Sequence, residues 1–88
     1  MACTVRVASP LRSYTAGAAS VDAVGHDIAA VLADLDTNYR GIRFRMIDEH
    51  DRIRPHIRLY VNHDAVTSLQ QAVHPGDTLH LICALSGG

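Results

Sequence analysis

One stretch of the chain, Ile28–Tyr39, places the strongest constraint on the fold. Its apolar side chains recur with the spacing of a single helical face: Ile28, Val31, Leu32, Leu35 and Tyr39. Asp27 stands where a capping side chain is favoured, and Asn38–Gly41 supplies a helix end. No other segment keeps this period over a comparable length. The sequence therefore predicts one main helix, whose apolar stripe must be covered by strands.

Extended segments flank this helix on both sides. Apolar and polar residues alternate in Ile57–Val61, and strand-like patterns also occupy Cys3–Ala8, Ala18–Val24, Ala65–Val66 and Thr78–Ala84. The two segments before the helix predict an antiparallel hairpin, so the chain must cross the helix before it returns to the sheet. The expected fold class is α+β, with a mixed sheet of four to five strands and one main helix. In such a fold the first and last strands can lie parallel at the centre.

The connecting segments differ in character. Arg40–Arg58 alternates arginines with acidic residues and contains apolar anchors, which predicts an ordered connection with an exposed turn at Asp48–Asp51. Leu11–Gly17 is expected to be a turn, and Ser68–Ala72 a single helical turn. Proline and glycine in His74–Asp77 predict a tight turn immediately before the last strand.

Composition limits the classes of function. The net charge is −1, from eight basic and nine acidic residues, and every basic residue is an arginine. A chain so balanced has no overall field that favours nucleic acid or an anionic membrane, so neither is expected as a partner. The 88 residues predict one domain, residues 1–84, followed by a short tail. Since the N-terminal residues lack a signal-peptide pattern, a cytoplasmic location is expected.

Side chains that often carry chemistry are present, but their spacing predicts no site. The six histidines fall in different elements without the spacing of metal ligands, so we expect no metal. Cys3 and Cys83 lie at opposite ends of strands expected to run parallel, which disfavours a disulfide and favours inert core thiols, Cys83 most clearly. Neither a nucleophile turn nor a glycine-rich phosphate loop occurs. We therefore expect no catalytic residues of the chain's own.

The chain ends on Gly87-Gly88 soon after its last predicted strand. Because glycine orders poorly, residues 85–88 are expected to form a flexible tail. One interpretation is a frayed end without a role. The other is that the Gly88 carboxylate is the working group, since small residues behind it slide through a narrow channel into another protein's active site.

A docking surface is a second candidate feature. If Leu79, Leu81 and Cys83 face the helix, then His80, Ile82 and Ala84 face outward. Tyr60 also points outward, from a strand that can lie next to the last one. Apolar groups of this kind beside the root of the tail suit a partner contact. Ordinary scattered surface residues, or residues shielded by the long connection, explain the same pattern.

Several segments in order resemble the ubiquitin-like β-grasp sulfur carriers of the MoaD/ThiS family. They are the helix Ile28–Tyr39, then Tyr60–Asn62, then Pro75–Asp77 before the last strand, and Gly87-Gly88. That family includes the small subunit of molybdopterin synthase, the thiamine-pathway sulfur carrier and the carrier of a thiocarboxylate-dependent cysteine synthesis route. The likeness covers nearly the whole chain. Residues 34–42 and 57–62 look most like the last of these groups.

The resemblance implies chemistry at Gly88. A partner adenylating enzyme of the ubiquitin-activating type would use ATP and magnesium to convert the carboxylate to an acyl-adenylate, and sulfide or a persulfide would displace AMP to leave a thiocarboxylate. The chain itself would bind no cofactor. Its expected partners are this enzyme, a sulfur-accepting biosynthetic enzyme and a sulfurtransferase. The family's docking face maps onto Ile82 and Tyr60, beside Ala84.

The tail departs from the family pattern at one place. Many relatives carry a small apolar residue and then alanine before the glycines, whereas this chain has Leu85 and Ser86. Ser86 is small enough to thread a channel together with Gly87, and Leu85 is expected to anchor the base of the tail. The departure leaves the identity of the partner open more than the carrier role.

Two other functions fit the same terminus. A β-grasp protein modifier would be joined through Gly88 to lysines of other proteins, and a non-conjugated interaction module would not use the glycines at all. The metabolite that receives the sulfur also stays open: cysteine, molybdopterin, thiamine, thiolated tRNA and sulfur-containing secondary metabolites all fit, with the first two favoured by chain length.

Overall fold

The computed structural model describes residues 2–84, which form a five-stranded sheet with helices on one side. The elements are β1 (Ala2–Arg6), a 3₁₀ helix (Ser9–Thr15), β2 (Ser20–Val24), α1 (Ile28–Asn38), α2 (Ile42–Met46), β3 (Ile57–Val61), β4 (Asp64–Ala65) and β5 (Thr78–Cys83). Within these residues no helix is long and apolar enough to cross a membrane.

The strand order is β2-β1-β5-β3-β4, which places the last strand at the centre of the sheet. β5 runs parallel to β1, with Val5 beside Leu79, and antiparallel to β3, with Val61 on the other side of Leu79. The β1–β2 and β3–β4 pairs are antiparallel. The predicted α+β class, the mixed sheet and the parallel central pair are confirmed.

The core lies between one face of the sheet and helix α1. Alternate residues of the three inner strands are buried there, and four residues of the predicted helical stripe cover them. These four are Ile28, Val31, Leu32 and Leu35, each fully buried. Tyr39, the fifth member of the predicted stripe, is only partly buried, because it caps the helix end instead of continuing its face.

Helix α1 begins at a tightly held corner. The Asp27 carboxylate accepts a hydrogen bond of 2.8 Å from the Ala30 N–H, as expected for the predicted cap. The Ile28 N–H donates to the Gln71 carbonyl, so the following loop also fixes the first turn. Just before the cap, a Cβ on Gly25 would stand 2.5 Å from the Val31 nitrogen. Only glycine lets β2 turn into α1 this closely.

Three connecting segments differ from the prediction. The expected turn at Leu11–Gly17 lies largely within the 3₁₀ helix, and Ser68–Ala72 forms a single hydrogen-bonded turn, from the Gln71 N–H to the Ser68 carbonyl, without helix. The Arg40–Arg58 connection is ordered as predicted, but it contains the unforeseen helix α2. The turn at Asp48–Asp51 is confirmed by a hydrogen bond from the Asp51 N–H to the Asp48 carbonyl.

Candidate docking surface beside the last strand

The end of β5 is fixed by its neighbour β3. The two strands pair from Val61–Leu79 to Ile57–Cys83, and one residue further the Ala84 N–H donates to the His56 carbonyl at 2.7 Å. His56 directly precedes β3, whose inward-facing side chains are buried in the core. The residues that follow Ala84 therefore start from a fixed point at one end of the central strand.

Side chains of β5 alternate between the two faces of the sheet. Leu79 and Leu81 are buried against the helix side, while Ile82 lies on the outer face with 43% of its surface exposed. Ala84 is exposed as well. Ile82 is one of the few large apolar side chains in residues 2–84 that remain this accessible, so the outer face carries an apolar group next to the fixed point.

Tyr60 lies on the same outer face as Ile82, on the adjacent strand β3. It pairs directly with His80, whereas the residue paired with Ile82 is Arg58. Tyr60 and Ile82 are thus diagonal neighbours, and Tyr60 is half-buried. The structure brings the predicted pair onto one face, but an arginine and a histidine complete the patch.

Two further arginines border this patch on the β1 side. Arg6 pairs with His80 through the parallel β1–β5 register, and with Arg12 it lines a depression of about 270 Å³ that reaches Ile82. The Arg12 Nε donates to the Val7 carbonyl at 3.0 Å, which holds its guanidinium at the end of β1. Sequence reasoning missed both residues, although the alternation of β1 already places Arg6 on the outer face.

Arg58 is held in the same way on the other side of Ile82. One terminal nitrogen of the Arg58 guanidinium donates to the Pro55 carbonyl at 2.7 Å and to the Ile57 carbonyl at 3.1 Å. We call Ile82 and Tyr60 with Arg6, Arg12, Arg58 and His80 the outer patch.

The opposite end of the sheet carries acidic groups. Asp77 accepts hydrogen bonds from the His74 N–H at 2.9 Å and from the Asn62 side-chain amide at 3.1 Å. The His74 N–H, and after it the Asn62 amide, lower the pKa of the Asp77 carboxyl, which therefore stays ionised. Asp22 is exposed on the outer face, beside Thr4. The outer face is thus basic at the Ala84 end, and Asp22 adds an acidic group towards the other end.

The two cysteines are free thiols. Burial raises the pKa of both, and for Cys83 this effect outweighs the opposite influence of Arg45. A raised pKa leaves little thiolate and little nucleophilicity. The prediction that Cys83 is the clearer core thiol is wrong: Cys3 is the buried one, with 4% exposed, because Cys83 lies at the open end of β5.

The tail residues singled out in the sequence, Leu85, Ser86, Gly87 and Gly88, lie outside the described residues. Their roles in threading and modification stay predictions. Across residues 2–84, no group of three or more histidine, cysteine, aspartate or glutamate side chains is placed to hold a metal ion.

Comparison with known proteins relates this geometry to one family. A sequence model described as the ThiS family matches residues 5–88. The sulfur carrier protein CysO of Mycobacterium tuberculosis is 36% identical over 93 residues, which cover 100% of both chains. Its crystal structure superimposes with a TM-score of 0.90 at 33% identity, covering 94% of this chain and 99% of that one.

Two other solved structures are similar. CysO in a BexX/CysO complex from Amycolatopsis orientalis has a TM-score of 0.91 at 32% identity and covers 98% of this chain and 99% of its own. The small archaeal modifier protein 1 of Haloferax volcanii has a TM-score of 0.79 at 22% identity, over 96% of this chain and 98% of that one, and shares the fold. The predicted ubiquitin-like β-grasp fold is confirmed. The chain belongs to the ThiS family.

Proposed function

We propose that this protein is a sulfur carrier whose C-terminal Gly88 carboxylate is converted to a thiocarboxylate and used as a sulfur donor. The observation that carries the proposal is the full-length match to CysO, a named sulfur carrier, together with a family match that extends through Gly88. A cysteine-forming pathway is the first candidate for the acceptor, because these relatives carry the name CysO.

The chemistry follows from the poor reactivity of a carboxylate. In a partner of the ubiquitin-activating type, ATP and magnesium supply an adenylate: a carboxylate oxygen attacks the α-phosphorus and pyrophosphate leaves. Sulfide, or a persulfide held by a sulfurtransferase, then attacks the acyl carbon and AMP leaves with the bonding electrons. With a persulfide the product is an acyl disulfide, and a thiol must then attack the sulfurtransferase's sulfur, which releases the thiocarboxylate and leaves a disulfide on the sulfurtransferase. The carrier contributes a tethered reagent, and the catalysts are its partners. Because these steps consume ATP, we place the carrier in the cytoplasm.

Covalent geometry limits how far Gly88 can reach. Four residues extend at most about 14 Å beyond Ala84, whatever conformation they adopt. An active site that receives Gly88 must therefore lie close to the surface against which Ala84 rests. Gly87 and Ser86 present little side-chain volume to a channel, and Leu85 is large enough to rest at its mouth.

Intact mass measurement of the protein from its native host tests the proposal. Exchange of one carboxylate oxygen for sulfur adds about 16 Da, and fragmentation must place the addition on Gly88 to separate it from methionine or cysteine oxidation. Deletion of Gly88 serves as the control and abolishes the addition. Isopeptide conjugates to lysines of other proteins, without any thiocarboxylate, would instead assign the chain to the protein modifiers.

A further inference from the structure

A basic pocket lies where the central strand ends. Its volume is about 240 Å³, and it is lined by Phe44, Arg45, Arg54 and His56, without an acidic residue. The His56 carbonyl accepts the Ala84 N–H at 2.7 Å. The pocket therefore borders the point at which the chain leaves the sheet.

Both arginines of this pocket are close to its opening. The Arg54 Nε donates to the Phe44 carbonyl at 2.7 Å, and the guanidinium carbon lies 4.5 Å from the centroid of the Phe44 ring. These two contacts fix the plane of the guanidinium, and its terminal nitrogens, which have no described partner, can donate to a carboxylate in fork geometry. Arg45 is exposed, and its charge opposes the rise that burial causes in the pKa of the Cys83 thiol at the end of β5.

No carboxylate of the described residues neutralises the pocket. In residues 2–84 the only arginine within 4 Å of a carboxylate is Arg43, which pairs with Asp51. The Arg52 N–H, and more weakly the charge of Arg54, lower the pKa of the Asp48 carboxyl, but the Asp48 Oδ1 already accepts two backbone hydrogen bonds at 2.8 and 3.0 Å. The pocket thus presents positive charge that is open to a carboxylate from another segment.

We propose that the basic pocket binds the C-terminal carboxylate of its own chain, at Gly88, when no partner enzyme holds the tail. This inference rests on the proposed function, which requires a free carboxylate at Gly88. Four residues reach at most about 14 Å beyond Ala84, and the pocket begins at the His56 backbone, so its distance is well within reach. Two glycines before the carboxylate let the chain turn back, since glycine adopts conformations that other residues avoid.

The tethered carboxylate is favoured over the same group on a second copy of the chain. A short tether gives it an effective concentration on the order of millimolar, which exceeds that of the tails of other copies in a micromolar solution. Because solvent screens exposed arginine–carboxylate pairs, the contact is weak enough for a partner to displace. A thiocarboxylate carries the same charge, so the pocket holds it as well and shields its sulfur from electrophiles.

The test uses the full chain with a thiocarboxylate at Gly88, prepared by releasing the chain from an intein fusion with sulfide, so that no partner enzyme is needed. Intact mass follows alkylation of the sulfur by iodoacetamide at about pH 6, where the raised pKa values of Cys3 and Cys83 keep both thiols slow. Arg45→Gln is the main variant, because Arg45 is exposed and has no described side-chain hydrogen bond, and Arg54→Gln is the second. Arg40→Gln is the matched control: it removes the same charge at an exposed position between the two helices.

We expect Arg45→Gln and Arg54→Gln each to be alkylated about threefold faster than wild type at low salt, because the bound fraction of the tail falls, and Arg40→Gln to stay within about 1.3-fold. Raising the ionic strength from about 50 to about 500 mM speeds alkylation of wild type and affects the two pocket variants less. Since iodoacetamide is uncharged, salt acts here on the tail and not on the reagent. Equal rates for wild type, Arg45→Gln and Arg54→Gln would overturn the proposal.

A second measurement needs no substitution. The side-chain Nε–Hε NMR signals of Arg45 and Arg54 are compared between the chain that ends in the Gly88 carboxylate and the same chain ending in a carboxamide, at equal ionic strength. Both signals should move on amidation while that of Arg40 stays fixed, and the difference should persist on dilution. Unmoved signals refute the proposal, and so does a difference that disappears on dilution, which assigns the contact to a second copy. Added phosphate that shifts the two signals equally in both forms shows an unoccupied pocket and refutes it as well.

Neither measurement depends on conversion of Gly88 in the host, so the two proposals fail separately. Slower alkylation of wild type than of the pocket variants, with no thiocarboxylate on the protein from its host, keeps the carboxylate site and refutes the carrier function. A thiocarboxylate in the host, with equal alkylation rates for wild type and variants, keeps the carrier function and refutes the carboxylate site.

Discussion

Replacing Gly25 by alanine tests the close approach between the end of β2 and the start of helix α1. The new methyl group would stand 2.5 Å from the Val31 nitrogen, 2.8 Å from the Ala30 carbonyl carbon and 2.9 Å from the Ala30 Cβ. Two of these atoms are backbone, and the first turn cannot retreat easily because loop carbonyls accept from Ile28 and Ala29 at 3.0 and 2.9 Å. Relief of the clash must therefore shift the helix relative to the sheet.

The expected magnitude comes from two opposing effects. Overpacking of this kind costs about 1–3 kcal/mol, and three sub-van-der-Waals contacts favour the upper part of that range. Alanine also reduces the conformational entropy of the unfolded chain, which offsets the loss by about 0.4–1 kcal/mol. We expect a net loss of about 2 kcal/mol in the free energy of unfolding, which corresponds to a fall in Tm of about 8–16 °C for a domain of this size.

Urea denaturation followed by circular dichroism measures this loss, with Gly17→Ala as the control. Gly17 also has a special conformation, with φ of +85°, but a Cβ there meets no atom within 4 Å. Its backbone strain, about 1–2 kcal/mol, is partly offset in the unfolded state, so a loss of about 1 kcal/mol is expected. If Gly25→Ala lost less than Gly17→Ala, the steric reasoning about the β2–α1 corner would be wrong.

Three further outcomes are expected. Asp27→Ala removes the helix cap and should lower the free energy of unfolding by about 1 kcal/mol in urea titrations, with Asp27→Asn restoring most of it. The lowered pKa of Asp77 stabilises the fold at pH values above the ordinary carboxyl pKa of about 4, and this contribution is lost as pH falls through the lower folded value. In the Asp77→Asn variant the urea midpoint should therefore fall less steeply than in the wild type as the pH is lowered below about 4. An equal slope in the two proteins would contradict the stabilising role given to the Asp77 carboxylate. Ile82→Ala should change the free energy of unfolding by less than about 0.5 kcal/mol, because Ile82 is exposed, yet weaken binding to the adenylating enzyme about 10-fold in calorimetry.

The elements that the sequence predicts well are those whose own residues decide them. Helix α1 has a cap at Asp27 and three turns of periodic apolar residues, and the alternation in β3 gives its bounds correctly. Helix α2 could not be found in this way. Its five residues are too few to show a period, and Arg43 and Arg45 interrupt the apolar anchors Ile42 and Met46, which become recognisable only when they pack into the core.

The same distinction applies to the outer patch: some of its residues follow from the local sequence, and others depend on how distant segments pair. Ile82 follows from the alternation of β5 alone, because a strand with one buried face must present its other residues outward. The position of Arg6 beside His80 depends on the parallel pairing of β1 with β5, between residues more than seventy positions apart. The sequence allowed that pairing, but the register of a parallel pair is set by packing of both strands against the helix. Arg12 depends in addition on the 3₁₀ helix that the sequence did not indicate.

We expect docking and chemistry to use different parts of the chain, because the central strand β5 ends at Cys83, five residues before Gly88. The Ala84 N–H is held by the His56 carbonyl, so we expect the residues that enter a partner's active site to be those beyond that bond. Ordering a residue costs about 1–2 kcal/mol of backbone entropy, so a segment of four residues limits this cost to about 4–8 kcal/mol. We expect substitutions in the outer patch to change binding equally before and during the reaction and so to change KM, and substitutions next to Gly88 to change kcat. A carrier built in this way can present one patch to several enzymes while each of them supplies its own chemistry.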